Sequence, residues 1–302
     1  MQNQGMIYGY ARVSTVAKTS PSQLAQLKAA GCVKVFREKI PGTALVQTRW
    51  THLLCWRPEP ERSAMDKLET LEELFAGRHF DREVIILCVR WYLRFELSLR
   101  DLVEMMAERG LSLAHTTIMR WVQRYTPEFE KRWRQYTLGV GLSWRVDETY
   151  VKIRGEWCYL YRAVDRAGRT VDFRLSVRRD VAAAKAFFRK AMKSQQCVPQ
   201  TITLDGYAAS HRAVRELKAD GSLPANTKLR SSKYLNNLIE QDHRSVKQRI
   251  AVMFGLKQFS NAVITIAGIE LMHRIRKGQF GLRRFGLQRR TAPAVWNAVL
   301  RA

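Results

Sequence analysis

The stretch SWRVDETYVKIRGEWCYLYRAVD, residues 143–165, is the clearest structural signal in the chain, because it has the composition of two successive β-strands. It is rich in Val, Tyr and Trp, which favour strands, and Gly155 stands between its two halves, where the chain can turn. A third run of the same character, 170–177, follows Gly168. Short strands separated by brief Gly-containing gaps predict a meander of three antiparallel strands.

The residues after this meander alternate between helical and strand patterns. Helices are predicted over 181–193, 211–219, 236–250 and 262–276, the last with Ser260 as its N-cap, and a short buried strand is predicted over 201–204. Three strands followed by alternating helices and a strand indicate an α/β fold with a mixed sheet.

Three carboxylates fall on these predicted elements. Asp147 lies inside the first strand, Asp205 ends the short run TITLD, and Glu240 lies on the helix NNLIEQDHRSVKQR. An acidic side chain in a core strand is costly unless it is paired or binds a metal. Carboxylates are ligands that Mg²⁺ prefers, and two such ions about 3.5–4 Å apart stabilise both the attacking and the leaving oxygen of phosphoryl transfer.

Each carboxylate also has an ordinary structural interpretation when it is taken alone. Asp147 can cap a bulge, and Asp205 can serve in an Asp-Gly turn. Glu240 can pair with Arg244, one helical turn later. His243 shares the predicted helix face of Glu240, so it is the histidine expected nearest to the site. The residue pattern by itself leaves these alternatives open.

A helix-turn-helix pattern precedes the strands. Ser98 and Asp101 form a capping-box-like start, after which apolar residues recur at helical spacing as far as Gly110. A second helix is predicted over 115–125, with Pro127 just beyond its end. The outward residues of this second helix can hydrogen-bond base edges or phosphates, or can form a solvated polar face: Thr116, Thr117, Arg120, Gln123 and Arg124.

The charge of the chain predicts a polyanionic partner. There are 52 Lys and Arg against 27 Asp and Glu, a formal net charge of +25, and the pI is about 10.4. No run approaches the roughly 20 apolar residues of a spanning helix, so no membrane partner is expected. The five cysteines lie far apart and predict neither a zinc site nor a disulfide framework.

Residues 65–290 resemble the DDE transposases of bacterial insertion sequences, in particular the cointegrate-forming family six. The resemblance rests on GRHF (77–80), RWVQRY (120–125), VDETYVKIRGEWCYLYRAVD (146–165), GRTVDF (168–173) and NNLIEQDHRSVKQR (236–249). In that family 34 residues commonly separate the second Asp from the Glu, as they separate Asp205 from Glu240 here. Lys247 takes the place of the basic residue seven positions after the Glu. The surroundings of Asp205, LDGYAAS, depart from the family pattern, which leaves Asp220 as a competitor.

The resemblance implies a ribonuclease-H-like, integrase-like catalytic core preceded by an all-α helix-turn-helix domain. It implies metal-dependent DNA strand cleavage and strand transfer at the ends of an insertion sequence. The catalytic residues carried over are Asp147, Asp205, Glu240 and Lys247, of which the three acids would hold two Mg²⁺ or Mn²⁺ ions. The partners implied are the terminal inverted repeats and the target DNA, both double-stranded, bound by a homodimer or higher oligomer at the nucleoid in the bacterial cytoplasm.

The N-terminus resembles a different family. IYGYARVST (7–15) and QLAQLKAAGCVKVFREKIPG (23–42) are similar to the start of a serine resolvase, in which Ser14 would be the nucleophile and Arg12 its neighbour. The similarity stops at about Gly42, before the rest of a resolvase catalytic domain, so we expect a vestigial piece without activity.

Together these patterns predict four regions. A truncated resolvase-like fragment and linker occupies 1–64, a helix-turn-helix DNA-binding domain 65–140, a DDE catalytic domain 141–280 and a basic tail 281–302. The basic residues of 274–290 are interpreted either as a DNA contact or as the face of a terminal helix. Two other functions remain possible at this point: a non-catalytic helix-turn-helix regulator and a hybrid serine site-specific recombinase.

Overall fold

A mixed five-stranded sheet organises the larger part of the chain. Its first three strands are β3 (Ser143–Ile153), β4 (Glu156–Asp165) and β5 (Thr170–Ser176), which pair antiparallel in sequence order. Two further strands, β6 (Thr201–Leu204) and β7 (Lys228–Ser231), add in parallel on the other side of β3. The resulting order, β5-β4-β3-β6-β7, is the ribonuclease-H-like arrangement, so the predicted meander, the mixed sheet and the fold class are confirmed.

This computed structural model describes residues 7–14, 32–40, 70–231, 237–253, 256–286 and 291–301. The chain divides into two units, Met1–Thr51 and His52–Ala302. In the first unit β1 (Ile7–Ser14) and β2 (Cys32–Ile40) pair in parallel. The rest of the resolvase-like fragment and linker predicted over 1–64 lies outside the described residues.

A tight turn explains how the β3–β4 hairpin closes. Arg154 and Gly155 both have positive φ angles, 51° and 87°. Two consecutive residues of this kind form the mirror-image turn whose twist matches that of antiparallel strands, and glycine adopts the second position without steric cost.

The alternation of side chains along β3 gives the sheet two covered faces. On one face Val151 and Ile153 belong to a core shared with the helices that precede and follow the sheet. On the other face Trp144 and Val146 pack beneath helices α5 (Val181–Gln195) and α6 (Ala208–Ala219). Neighbouring strand residues point to opposite faces.

Within residues 70–142, four helices precede the sheet: α1 (Leu71–Phe75), α2 (Arg82–Arg94), α3 (Leu99–Ala107) and α4 (His115–Arg134). The Ser98 capping box and the Gly110 turn between α3 and α4 are present as predicted. The predicted end of α4 before Pro127 is wrong, because the helix runs on to Arg134. Phe129 and Trp133 are completely buried beyond the proline, and this packing outweighs the lost backbone hydrogen bond.

In the part of the chain described after residue 231, three α-helices follow the sheet: α7 (Asn237–Ala251), α8 (Phe259–Arg276) and α9 (Ala292–Arg301). The predicted cap of α8 is wrong, since Gln258 occupies the N-cap position and Ser260 lies inside the helix. Helix α9 was not predicted, and it contacts α4 through Trp296, whose ring lies against Phe129 and Trp133. Within the described residues, no helix is long and apolar enough to cross a membrane.

Candidate active site

The open edge of β3 brings two of the predicted carboxylates together. Strand β6 pairs with β3 only through Ser143–Arg145, so Asp147 lies just beyond the paired segment and Asp205 lies just beyond the end of β6. Asp147, Asp205 and the neighbouring Glu148 each offer a carboxylate oxygen, and these oxygens all lie within 4.8 Å of one another. Among the described residues, these three form the only group of three or more His, Cys, Asp or Glu side chains that lie close enough together to hold a metal ion.

Glu148 is a member of this group that the sequence did not single out. It is the buried one of the three acids, and its side chain accepts hydrogen bonds from Ser210 and from Arg179 Nη2, the latter at 3.1 Å. Burial raises the pKa of Glu148, the bonds from Ser210 and Arg179 oppose this, and the charge of Asp205 raises it further. The position of Glu148 next to Asp147 was the sequence signal that could have identified it. Because adjacent strand residues point to opposite faces, the two were not expected to lie in one site.

Asp205 is held by the start of α6. Its Oδ1 accepts a hydrogen bond from the Tyr207 backbone at 3.1 Å, and its carbonyl oxygen lies 2.6 Å from His211 Nε2. The competitor Asp220 lies elsewhere, in ion pairs with Arg189 and Lys185 on the outer surface of α5 and α6. The structure therefore places Asp205, and not Asp220, beside Asp147.

Glu240 lies in the first turn of α7, exposed and outside the group of three acids. The same helix nevertheless reaches the site, because His243, one turn later, is buried with Nε2 3.3 Å from Asp147 Oδ2. This contact lacks the alignment of a hydrogen bond. The start of α7 also fits closely against the β4–β5 turn, where a Cβ on Gly168 would lie 2.8 Å from a methyl group of Leu238.

A buried ion network fixes α7 to the sheet. Arg162, directly opposite Asp147 on β4, is completely buried. Its Nε lies 2.6 Å from Glu270 on α8, and its Nη2 lies 2.9 Å from Asp242 on α7. Asp242 also contacts His273 at 2.8 Å and Lys277 at 2.6 Å. Burial alone would lower the pKa of Arg162, but the charges of Glu270 and Asp242 raise it, so the Arg162 guanidinium stays charged in the core.

The basic residues after 274 contribute to this packing. Arg274 is half-buried, lies over the ring of Phe280 at 5.1 Å and donates to Thr137, while Lys277 donates to Gly168 and pairs with Asp242. Residues 287–290 lie outside the described part of the chain.

The predicted recognition helix presents most of its polar residues to solvent. Thr116, Arg120 and Arg124 are exposed on α4, and Thr117 is half-buried. The predicted outward position of Gln123 is not observed, because its amide nitrogen donates to Thr265 at 3.1 Å on α8. Gln123 therefore helps to pack α4 against α8, together with the buried apolar residues of α4.

Comparison with known proteins shows which family the chain resembles. The family described as the DDE domain matches residues 141–279. The chain is 38% identical over 203 residues to the transposase for insertion sequence-like element IS431mec of Staphylococcus aureus, a match that covers 67% of this chain and 88% of the relative. The transposase for insertion sequence element IS257 in transposon Tn4003, also from Staphylococcus aureus, matches with the same identity and coverage.

The chain belongs to the DDE transposases of bacterial insertion sequences. It is thus a DNA transposase, a polynucleotidyl transferase, and its group of acids is a candidate site for a divalent metal. This outcome confirms the resemblance and the function it implied, over the regulator and the serine recombinase.

Among solved structures, the catalytic core domain of HTLV-2 integrase in complex with magnesium aligns with 43% of this chain and 84% of its own, at 14% identity and a TM-score of 0.34. The catalytic core domain of BIV integrase aligns similarly, with a TM-score of 0.33. These likenesses are slight, and the strand order of the sheet describes the fold more directly.

Proposed function

We propose that the transposase cleaves and joins DNA strands at the ends of its insertion sequence with two divalent ions, Mg²⁺ or Mn²⁺, held by Asp147, Asp205 and Glu240. The observation that supports this most is the convergence of the Asp147 and Asp205 carboxylates at the open edge of β3. Two acidic side chains this close repel each other unless a cation lies between them. Oxygen donors alone form the set that Mg²⁺ and Mn²⁺ prefer.

Glu240 is the third ligand in this proposal, although Glu148 lies nearer in the structure. The Glu148 carboxylate is buried and already receives Arg179 and Ser210, so it is engaged by the protein. Glu240 is exposed, and it precedes by one turn the His243 that contacts Asp147. In this proposal the exposed Glu240 side chain, in the first turn of α7, turns towards the pair when the ions bind.

The bound ions would supply an activated water or hydroxyl nucleophile and would neutralise charge on the phosphoryl oxygens. The protein's own residues orient the strand. Lys247 is exposed two turns after Glu240, so it can hold a DNA phosphate beside the acids.

We further propose that 65–140 recognises the terminal inverted repeats, that 141–280 performs the chemistry, and that residues 281–302 add positive charge for DNA. Thr116, Thr117, Arg120 and Arg124 are the proposed base and phosphate contacts, and Gln123 is reassigned to packing. The chain works as a homodimer or higher oligomer, since two ends and a target must be brought together, on the nucleoid of the bacterial cytoplasm. Ser14 and Arg12, within 1–64, take no part.

The metal requirement is tested by cleavage of a duplex that ends in the terminal repeat. We expect cleavage with Mg²⁺ or Mn²⁺, none in EDTA, and none with Ca²⁺, whose longer and looser coordination does not reproduce the octahedral geometry of Mg²⁺. DNA binding, followed in parallel by gel shift, is expected in all four conditions. Cleavage at full rate in EDTA would exclude the metal mechanism.

Base recognition by α4 is tested with Arg120→Ala. We expect binding to the repeat to weaken by about 1–3 kcal/mol, with little change on random DNA, if the guanidinium reads a base edge. The matched control is Arg134→Ala, an exposed arginine on the last turn of the same helix. Equal weakening on repeat and random DNA would show that Arg120 contacts a phosphate instead.

A further inference from the structure

The far end of the β3–β4 hairpin carries three aromatic side chains on one face. Tyr150 stands opposite Tyr159 in the strand register, and Trp157 stands opposite Lys152. The side chains of Tyr150 and Trp157 are 47% and 59% exposed, and their rings meet edge to face at 6.2 Å. Tyr150, Trp157 and Tyr159 together form what we call the hairpin aromatic patch.

Large aromatic side chains are unusual on an exposed strand face. The same face is covered by α5 and α6 further along β3, where Trp144 and Val146 are buried. At the hairpin end Tyr150 and Trp157 are instead exposed, at positions where a solvated strand usually carries polar side chains. Large exposed aromatic groups in a cluster mark a binding surface.

The patch borders a cavity with cationic walls. The cavity has a volume of about 730 Å³ and extends from the hairpin to Lys247 and Ile250 on α7. Lys152 contributes a second ammonium group, 5.6 Å from the centre of the Trp157 ring. None of the described residues that line this cavity is acidic, so its electrostatics favour an anion with an apolar part.

Arg179 joins the patch to the catalytic acids. Its Nη1 donates to the Tyr150 hydroxyl at 3.2 Å, and its Nη2 donates to Glu148 at 3.1 Å. Tyr150 lies about 10 Å along β3 from Asp147 and on the strand face of Glu148, whose carboxylate offers an oxygen within 4.8 Å of those of Asp147 and Asp205. A DNA strand held at the acids can therefore reach the patch with its next nucleotides.

We propose that the hairpin aromatic patch binds unpaired nucleotides of the DNA strand that lies in the active site. A base stacks on Trp157 or Tyr150, while Lys152 and Lys247 hold the neighbouring phosphates. Stacking on aromatic rings needs a free base face, which an intact duplex does not offer, so the ligand is a frayed or single-stranded end. The positive charge of the chain and the absence of acids in the cavity favour DNA over a second copy of this basic protein.

This inference rests on the proposed function, because the acids locate the strand, but its test does not depend on cleavage. The full chain is titrated without divalent metal against a repeat-ended duplex carrying unpaired terminal nucleotides with 2-aminopurine, and against the same duplex fully paired. Trp157→Ala is expected to lower affinity for the unpaired end about ten- to a hundredfold and to remove the quenching of 2-aminopurine. Affinity for the paired duplex is expected to stay within about twofold.

Two matched variants keep the result interpretable. Trp157→Phe retains a ring and is expected to keep most of the affinity. Phe259→Ala removes another exposed aromatic side chain, at the start of α8, and is expected to change neither measurement. Because Trp157 is largely exposed, its removal leaves the core intact, and circular dichroism verifies this.

Three outcomes would overturn the inference. The first is that Trp157→Ala binds the unpaired end with unchanged affinity. The second is that Trp157→Ala loses as much affinity for the paired duplex as for the unpaired end. The third is that Trp157→Ala forms a smaller assembly in sedimentation, which would make the patch a contact between copies of the chain. The metal proposal fails in a different experiment. If Asp147→Asn still cleaves DNA, the metal proposal is wrong, but the metal-free binding measurements on the patch are unaffected.

Discussion

Asp147→Asn is expected to abolish strand cleavage while DNA binding stays nearly unchanged. The substitution keeps the shape of the side chain but removes the charge that pairs with a metal ion at the open edge of β3. A loss of several kcal/mol in transition-state stabilisation corresponds to a cleavage rate lower by about a thousandfold or more. The exposed residues of α4 lie on a separate helix, so gel-shift affinity for the repeat-ended duplex is expected to remain within about twofold.

The same assay distinguishes the third metal ligand. Glu240→Gln is expected to reduce cleavage as strongly as Asp147→Asn without lowering the melting temperature, because Glu240 is exposed. Glu148→Gln is expected to lower the melting temperature, because it weakens the bond to Arg179 in a buried position. If Glu148→Gln abolishes Mn²⁺ binding in calorimetry and Glu240→Gln leaves it intact, Glu148 is the ligand and our assignment of Glu240 is wrong.

The sheet was predictable from the sequence because its signals are local. Alternating Val and Tyr residues indicate strands, and Gly155 marks the turn that joins β3 to β4. The position of Asp147 inside one strand and of Asp205 at the end of another then suffices to expect a shared edge, and the structure brings them together there. Strand β7 was not predicted, since its four residues, three of them exposed, carry no periodic pattern.

The remaining features depend on contacts between residues distant in sequence. Gln123 faces outward by helical spacing, yet the nearby Thr265 on α8 turns its amide inward. Pro127 is a strong stop signal, yet buried aromatic residues beyond it extend α4. Glu148 became part of the acidic group because the edge of β3 is open beyond Arg145, which strand alternation alone does not show.

The Arg162 ion network also depends on contacts between residues distant in sequence, and we expect its loss to lower the stability of the fold strongly. Arg162 is buried among Asp242 and Glu270, which lie 80 and 108 residues away along the chain. Arg162→Met is expected to lower the free energy of unfolding by about 3–5 kcal/mol, since it leaves Glu270 as an uncompensated charge in the core. Chemical denaturation followed by tryptophan fluorescence measures the change, with the exposed Arg178→Met as the matched control.

A double variant separates the cost of the orphaned charge from the loss of packing. Asp242 keeps His273 and Lys277 as partners, whereas the closest partner of Glu270 is Arg162, at 2.6 Å. Adding Glu270→Met to Arg162→Met removes the uncompensated carboxylate, so the double variant is expected to be more stable than Arg162→Met alone. An additive loss would show that the two residues stabilise the fold independently, contrary to the network.

Under conditions where Arg162→Met remains folded, we also expect slower cleavage. Asp242 lies on α7, two residues after Glu240 and next to His243. Its ion pair with Arg162 holds this part of α7 against β4, where Arg162 stands opposite Asp147. Without that tie, the first turn of α7 is free to shift relative to β3, and the acids on the two elements lose their alignment. Cleavage is then expected to fall while gel-shift affinity for the repeat stays constant. Cleavage at the original rate in the folded variant would mean that α7 is positioned by its apolar contacts, such as Ile239 and Val246, and not by the ion network.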